Sequence, residues 1–239
     1  MIEMVRRFLR QRFGSAAIVT ALGVLALMTG AQAAANPEGA LGPGILALAL
    51  VAAGSVSRDV SGGAIQIILA RPIRRASYLF GRYVGILIAY GGFLLVASGF
   101  GIALRTLLPR LFGAAGADPD LPAFARGIAA GLANALLFAA ILLFFSTFLR
   151  GYADVLALFV LFGALSALPT VAAQLRKADL ARFAERFREN VLPEVDWSAV
   201  LRGQRVLGEA TGRWAVAVVG FLALAVFVFS RREFTYGQD

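Results

Sequence analysis

Residues 127–149 read GIAAGLANALLFAAILLFFSTFL, and none of them is Asp, Glu, Lys or Arg. Arg126 and Arg150 bound this apolar block on its two sides. A helix of about 20 apolar residues crosses the hydrocarbon core of a bilayer. A helix also satisfies its backbone hydrogen bonds within the segment, which the core requires because it holds no water. The block therefore predicts a membrane-spanning helix.

Similar apolar blocks recur along the chain, which is 59% hydrophobic and 15% charged. Ordinary soluble domains are about 45–50% apolar and about 25% charged. The chain also lacks the alternating segments of about ten residues that are typical of membrane barrels. We therefore predict an all-α integral membrane protein, a single transmembrane domain over residues 1–239. Its six predicted spans are 15–34, 44–57, 83–104, 127–149, 154–172 and 214–230.

The first predicted span could instead be a signal peptide. It follows a basic N-terminus, and Ala31-Gln32-Ala33 resembles a cleavage site. Its apolar run is long for a signal peptide, so we expect a retained span. Before it, Val5, Phe8, Leu9 and Phe13 recur at spacings of three and four, which predicts a short amphipathic helix in the membrane interface.

A second amphipathic segment precedes the last span. Phe183, Phe187 and Val191 continue a stripe that begins at Leu180, which predicts a helix resting on the outer membrane surface. Phe183, Phe187 and Val191 are the candidate surface for an extracytoplasmic protein partner.

The net charge of +9 comes mostly from basic residues beside the apolar blocks. Such flanking charges orient a membrane protein with its basic segments in the cytoplasm, so nucleic-acid binding is not expected. With six spans, this rule places both termini on the cytoplasmic side of the inner (cytoplasmic) membrane. The sequence contains no Cys and no His, which excludes thiol chemistry and the usual zinc sites. We expect no metal site and no catalytic residue in this chain.

The cytoplasmic stretch after the second block, residues 57–82, reads SRDVSGGAIQIILARPIRRASYLFGR. Gly62-Gly63 and Arg71-Pro72 would break a helix on either side of Ile65, Ile68 and Leu69. The result is a short helix between turns, near the membrane surface. From the residues alone it could be a simple interfacial loop or a docking surface for another protein.

This stretch resembles the first cytoplasmic loop of ABC-2-type transporter permeases. In that family an acidic residue is followed by Gly-Thr, a hydrophobic turn, Pro-Ile/Val-Ser-Arg and Gly-Lys. The matching residues here are Asp59, Gly63, Pro72-Ile73, Arg75 and Gly81-Arg82, whereas Ala64 and Arg74 depart from the pattern. The six-span layout and the ending Arg231-Arg232-Glu233-Phe234 are also similar to the family.

The resemblance implies a permease subunit without enzymatic activity of its own. A separate ABC ATPase subunit would hold ATP and Mg, because the chain has no Gly-x-x-x-x-Gly-Lys-Ser/Thr loop. A second permease copy or homologue would pair with it in membrane lipid. The implied coupling helix, which docks on the ATPase, comprises Arg58, Asp59, Gly63, Ile65, Ile68, Leu69, Arg71, Pro72, Arg74 and Arg75.

The function that follows from the resemblance is ATP-driven export of a lipidic or amphiphilic substrate, since the spans hold few polar residues. The alternative is a mechanical or regulatory subunit that moves an extracytoplasmic partner without transport. An ion-coupled transporter would need carboxylates within the spans, and Asp154 lies only at a span end. An intramembrane enzyme would need a nucleophile and a base, and the sequence shows no such set.

Overall fold

The computed structural model describes residues 2–38, 42–61, 74–111, 118–149, 151–174 and 178–232. Every regular element in these ranges is a helix, which agrees with the predicted all-α class. The helices are α1 (Ile2–Phe13), α2 (Ala16–Ala35), α3 (Gly42–Ala52), α4 (Ser57–Ser61), α5 (Arg75–Leu111), α6 (Leu121–Ser146), α7 (Ala153–Gln174), α8 (Ala178–Val191), α9 (Trp197–Leu201) and α10 (Glu209–Arg231).

Five of these helices are long and apolar enough to cross a membrane: α2, α5, α6, α7 and α10. They also carry large apolar side chains on their exposed faces. Leu95, Val96, Leu156, Val160 and Val216 are each more than 60% exposed. Such faces suit contact with lipid. The chain is therefore a multi-pass, membrane-embedded helical protein.

The predicted span at 44–57 is not a single long helix. Its helix α3 ends at Ala52 after 11 residues, which at 1.5 Å per residue covers about half of the roughly 30 Å hydrocarbon core. A turn at 53–56 follows, with Gly54 in the left-handed region at φ 61°, and then the five-residue helix α4. Hydropathy missed this break because the turn residues are themselves small and mostly apolar.

Each of the other predicted spans overlaps a helix that can cross the membrane, although Ser15 precedes α2 and residues 147–149 follow α6. The largest difference is at α5, which has 37 residues against the predicted 83–104. A helix of this length extends about 55 Å, so it is longer than the hydrocarbon core is thick. The predicted amphipathic segments are also helical, as α1 and α8.

The contacts divide the chain into two compact units, the first made of residues 1–52, 80–139 and 197–205. In it, α1 packs against two glycines of α5. A Cβ at Gly81 would lie 3.3 Å from Met4, and a Cβ at Gly85 would lie 2.8 Å from the Phe8 ring. Glycine at these positions lets the two helices approach closely.

Elsewhere in the first unit, charged residues join three segments of the chain. The Glu38 carboxylate pairs with Arg126 of α6 at 2.8 Å. It also pairs with Arg202, directly after α9, at 3.4 Å. These ion pairs connect the segment that follows α2 to the first turns of α6 and to the end of α9.

The second unit consists of residues 53–79, 140–196 and 206–239. Its described part holds the turn at 53–56, α4, the start of α5, the end of α6, and all of α7, α8 and α10. Helix α8 packs against α7 and α10. Four phenylalanines cluster where α6 and α10 meet, namely Phe144, Phe145, Phe148 and Phe221.

Candidate functional site

The candidate site lies in the second unit, around the two ends of the segment 62–73. Six predicted site residues, Gly63, Ile65, Ile68, Leu69, Arg71 and Pro72, lie outside the described residues. Four predicted residues are described: Arg58 and Asp59 before the segment, and Arg74 and Arg75 after it. Their contacts show what holds each end of the segment in place.

The turn before α4 is buried, and side chains from two long helices bind its backbone. The Gly54 N–H donates to the Asp154 carboxylate at 2.6 Å. The N–H groups of Val56 and Ser57 both donate to the Ser146 hydroxyl, at 3.0 and 3.3 Å. The first N–H groups of a helix have no partner within it. Here Ser146 and Asp154 supply partners at and just before the start of α4.

Asp59 connects the two ends of the segment. It is 3% exposed, and its carboxylate accepts a hydrogen bond from the Tyr78 hydroxyl at 2.6 Å. The Tyr78 ring stacks on Phe229, with 5.7 Å between ring centroids and 18° between the ring planes. The residue before the segment is thus joined to α5 after it, and through Tyr78 to the end of α10.

Arg75 binds the carboxyl end of α10. Its Nη1 donates to the carbonyl oxygens of Phe229, Ser230 and Arg232, at 3.3, 2.8 and 3.0 Å. The last carbonyls of a helix lack intrahelical partners and carry partial negative charge, so a guanidinium there is favourable. Arg232 in turn donates to the carbonyl of Thr147, just past the end of α6.

The remaining two arginines differ in exposure. Arg58 is half-buried, and its guanidinium lies over the Tyr152 ring, 4.8 Å from the centroid. Beside it, the Ser57 hydroxyl donates to the Gly151 carbonyl at 3.4 Å. Arg74 is exposed. Of these four predicted residues, Asp59 and Arg75 bind the chain's own helices, and Arg74 presents its charge to solvent.

The sequence prediction missed several residues that build this site. Tyr78, Ser146, Asp154 and Phe229 all bind its two ends, but they come from four places in the chain. Ser146 is the last residue of α6 and Asp154 lies in the first turn of α7, and the only signal in the sequence was the position of Asp154 at a span end. Within the described ranges no three His, Cys, Asp or Glu side chains gather where they could hold a metal ion.

The second predicted surface lies on α8. Phe183 and Phe187 are exposed and stacked on each other, with 6.0 Å between centroids, and Val191 is half-buried.

A cleft of about 370 Å³ lies between α8 and the start of α10. Arg188 and Arg213 line it, paired with four glutamates: Glu185, Glu189, Glu194 and Glu209.

No protein-family model matches the sequence, and no curated protein matches it either.

Proposed function

We propose that the chain is the permease subunit of an ATP-driven ABC transporter of the ABC-2 type. It exports a lipidic or amphiphilic substrate, while a separate ATPase subunit binds and hydrolyses ATP. The segment 62–73 with its two ends is the coupling helix that docks on that ATPase. The proposal starts from the sequence resemblance of residues 57–82.

One structural observation carries the proposal. The described residues on both sides of the segment 62–73 bind the ends of long helices: Asp154 of α7 and Ser146 of α6 bind the turn before α4, and Arg75 after the segment binds the carboxyl end of α10. A displacement of the segment would therefore be transmitted through these contacts to the long helices α6, α7 and α10. Contacts of this kind carry coupling between distant sites, and rigid-body motion of helices is one form of switching.

In this proposal the predicted site residues have two roles, which are anchoring of the coupling helix to the permease and docking on the ATPase. Asp59 and Arg75 anchor the coupling helix to the permease, because their side chains bind Tyr78 and α10. The exposed Arg74 is available to the ATPase. Ile65, Ile68 and Leu69 supply the apolar docking surface in this proposal, since exposed charge pairs contribute little each.

The proposed topology has six crossings with both termini in the cytoplasm. Residues 42–61 form the second of these crossings, in which α3 and the turn lie in the membrane and α4 lies at the cytoplasmic end. Irregular backbone is tolerated at membrane depth only where protein buries it. That condition supports the proposal, because residues 51–57 are buried and the N–H groups of Gly54 and Val56 have side-chain partners.

The decisive test is co-purification from native membranes in mild detergent. We expect the wild-type chain to retain an ATPase that carries the phosphate-binding motif, identified by mass spectrometry. The double variant Ile68→Asp, Leu69→Asp should lose it while still eluting as a folded protein, because two carboxylates would disrupt an apolar docking surface. A matched control, Phe183→Asp with Phe187→Asp on α8, should keep the ATPase.

Retention of the ATPase by the Ile68→Asp, Leu69→Asp variant would refute docking at this segment. A wild-type chain that carries no ATPase would refute the ABC transporter proposal itself.

The exposed, stacked Phe183 and Phe187 favour one alternative, a mechanical subunit that moves an extracytoplasmic partner. In that case the α8 control variant would lose a co-purifying extracytoplasmic protein while it keeps the ATPase. Transport of labelled lipid by the wild-type complex in vesicles would decide for export.

A further inference from the structure

Helix α1 has a fixed rotation about its axis, because one face packs on α5. Met4 contacts Gly81 and Phe8 contacts Gly85, and Phe8 is 1% exposed. Helical residues are spaced by about 100° around the axis. Positions on the rest of α1 can therefore be assigned relative to Phe8.

Next to the packed face lies an apolar stripe. Val5 and Leu9 lie at about 60° and 100° from Phe8, and Ile2 and Phe13 at about 120° and 140°. Val5 and Leu9 are half-buried. Ile2 is 83% exposed and Phe13 is 46% exposed. Large apolar side chains at both ends of one stripe suit the acyl boundary of a bilayer better than water.

Arginines border this stripe. Arg6 lies at about 160° from Phe8, next to Phe13, and Arg10 follows about 40° further round. Both are exposed, as is Arg7. Arg12 is buried and belongs to the packed face. With one acid, Glu3, against four arginines, the helix carries a formal charge of 4 − 1 = +3.

We propose that α1 binds anionic phospholipids. Ile2 and Phe13 insert at the acyl boundary, and Arg6 and Arg10 bind the phosphates of headgroups beside them. Only Gly14 and Ser15 separate α1 from the membrane-spanning α2, which holds the helix at the bilayer surface. Basic residues there attract anionic lipid. This inference depends on α1 and the membrane alone, and it is independent of the ATPase.

The occupant is a lipid rather than a soluble anion because the charge and the apolar surface adjoin. A free phosphate ester would bind the arginines and leave Ile2 and Phe13 in water. A phospholipid covers both at once. Each exposed arginine is expected to raise the local preference for anionic lipid by about fivefold at low salt, so Arg6 and Arg10 together should raise it roughly twenty-five-fold. The preference should be smaller at physiological ionic strength, because salt screens the charges.

The test uses single cysteines, since the natural chain has none. Ala17→Cys, four residues after Phe13, and Ala35→Cys, at the other end of α2, are both at exposed positions. Each full-length protein carries a bimane on its cysteine and is reconstituted in phosphatidylcholine bilayers. Nitroxide-labelled phosphatidylglycerol or phosphatidylcholine is then added as a short-range quencher.

We expect phosphatidylglycerol to quench the label at residue 17 more strongly than phosphatidylcholine, and the two lipids to quench equally at residue 35. Arg6→Gln with Arg10→Gln should abolish the difference, whereas Arg6→Lys with Arg10→Lys should retain it. A matched loss of two exposed charges on α8, Arg182→Gln with Arg186→Gln, should leave it unchanged. Unaltered phosphatidylcholine quenching at residue 35 verifies that each variant is folded.

Equal quenching by the two lipids at residue 17 of the wild type would overturn the proposal. So would a preference that survives Arg6→Gln with Arg10→Gln. Soluble glycerophosphoglycerol is the last arm of the experiment. If it removes the preference at the same concentration as the lipid, the arginines bind free phosphate esters and the lipid assignment is wrong.

Discussion

The Asp154 carboxylate is fully buried in the first turn of α7 and joins segments that are far apart in sequence. It accepts the Gly54 N–H, 100 residues earlier in the chain, and the N–H of its neighbour Val155. A carboxylate in the first turn of a helix is also favoured by the helix dipole. Asp154 therefore stabilises both the start of α7 and the turn that leads to α4.

We expect Asp154→Ala to lower the free energy of unfolding by about 1–3 kcal/mol, because it leaves the buried Gly54 N–H without this acceptor. Asp154→Asn should lower the free energy of unfolding less, since the amide oxygen can still accept that hydrogen bond.

Asp179→Asn is the control. Asp179 lies in the first turn of α8 with its side chain 98% exposed, so this change should affect stability little. Thermal unfolding in one detergent compares the three variants, and equal losses for Asp154→Ala and Asp179→Asn would contradict this role.

At the scale of elements, the packing of α1 on α5 depends on a glycine. We expect Gly85→Ala to weaken this packing by about 1–3 kcal/mol, because the new Cβ would lie 2.8 Å from the buried Phe8 ring. Hydrogen exchange of the α1 amides should then be faster than in the wild type.

Gly92 offers a matched control on the same helix, since a Cβ there meets nothing within 4 Å. Gly92→Ala should leave α1 exchange at the wild-type rate and should favour the helix slightly. Identical α1 exchange in the two alanine variants would show that Gly85 does not control the packing.

The elements also show how far sequence reasoning reaches. Block length and flanking charge predicted both ends of α2, α7 and α10 to within about five residues, because both depend on solvation by lipid, whereas α5 and α6 differ more from their predicted spans. Both signals failed at Ala52, where α3 ends. The turn that follows depends on hydrogen bonds that its backbone N–H groups donate to Ser146 and Asp154, about 90 and 100 residues away. Local hydropathy does not contain such information.

The candidate site could also be predicted only in part from the sequence. The loop motif drew attention to Asp59 and Arg75, but it predicted no partner within the chain for either. Asp59 binds Tyr78 within the chain, and Arg75 binds the end of α10. The sequence had suggested Asp59 as a contact to another protein. Asp59 is 3% exposed and binds Tyr78, so the role that we propose for it is that of an anchor within the chain.

At the scale of the whole molecule, the number of crossings decides which chain segments face the cytoplasm. If residues 42–61 cross the membrane as proposed, the total is six and both termini lie on one side. If they do not, only the five long helices cross and the termini lie on opposite sides. Between these two arrangements, the segment that links α9 and α10 also changes sides.

Three single-cysteine variants distinguish these topologies: Glu3→Cys, Gln204→Cys and Asp239→Cys. Glu3 is exposed and lies on the polar side of α1. We expect a membrane-impermeant thiol reagent, applied to intact cells, to label residue 204 alone, with residues 3 and 239 labelled only after permeabilisation.

Five crossings would pair residue 3 with residue 204 instead. Residues 204 and 239 lie on opposite sides in either case, because only α10 separates them, so equal labelling of these two would reveal leaky cells. Pairing of residue 3 with residue 204 would also move residues 57–82 out of the cytoplasm if the N-terminus lies there, and the proposed docking on a cytoplasmic ATPase would fail with it.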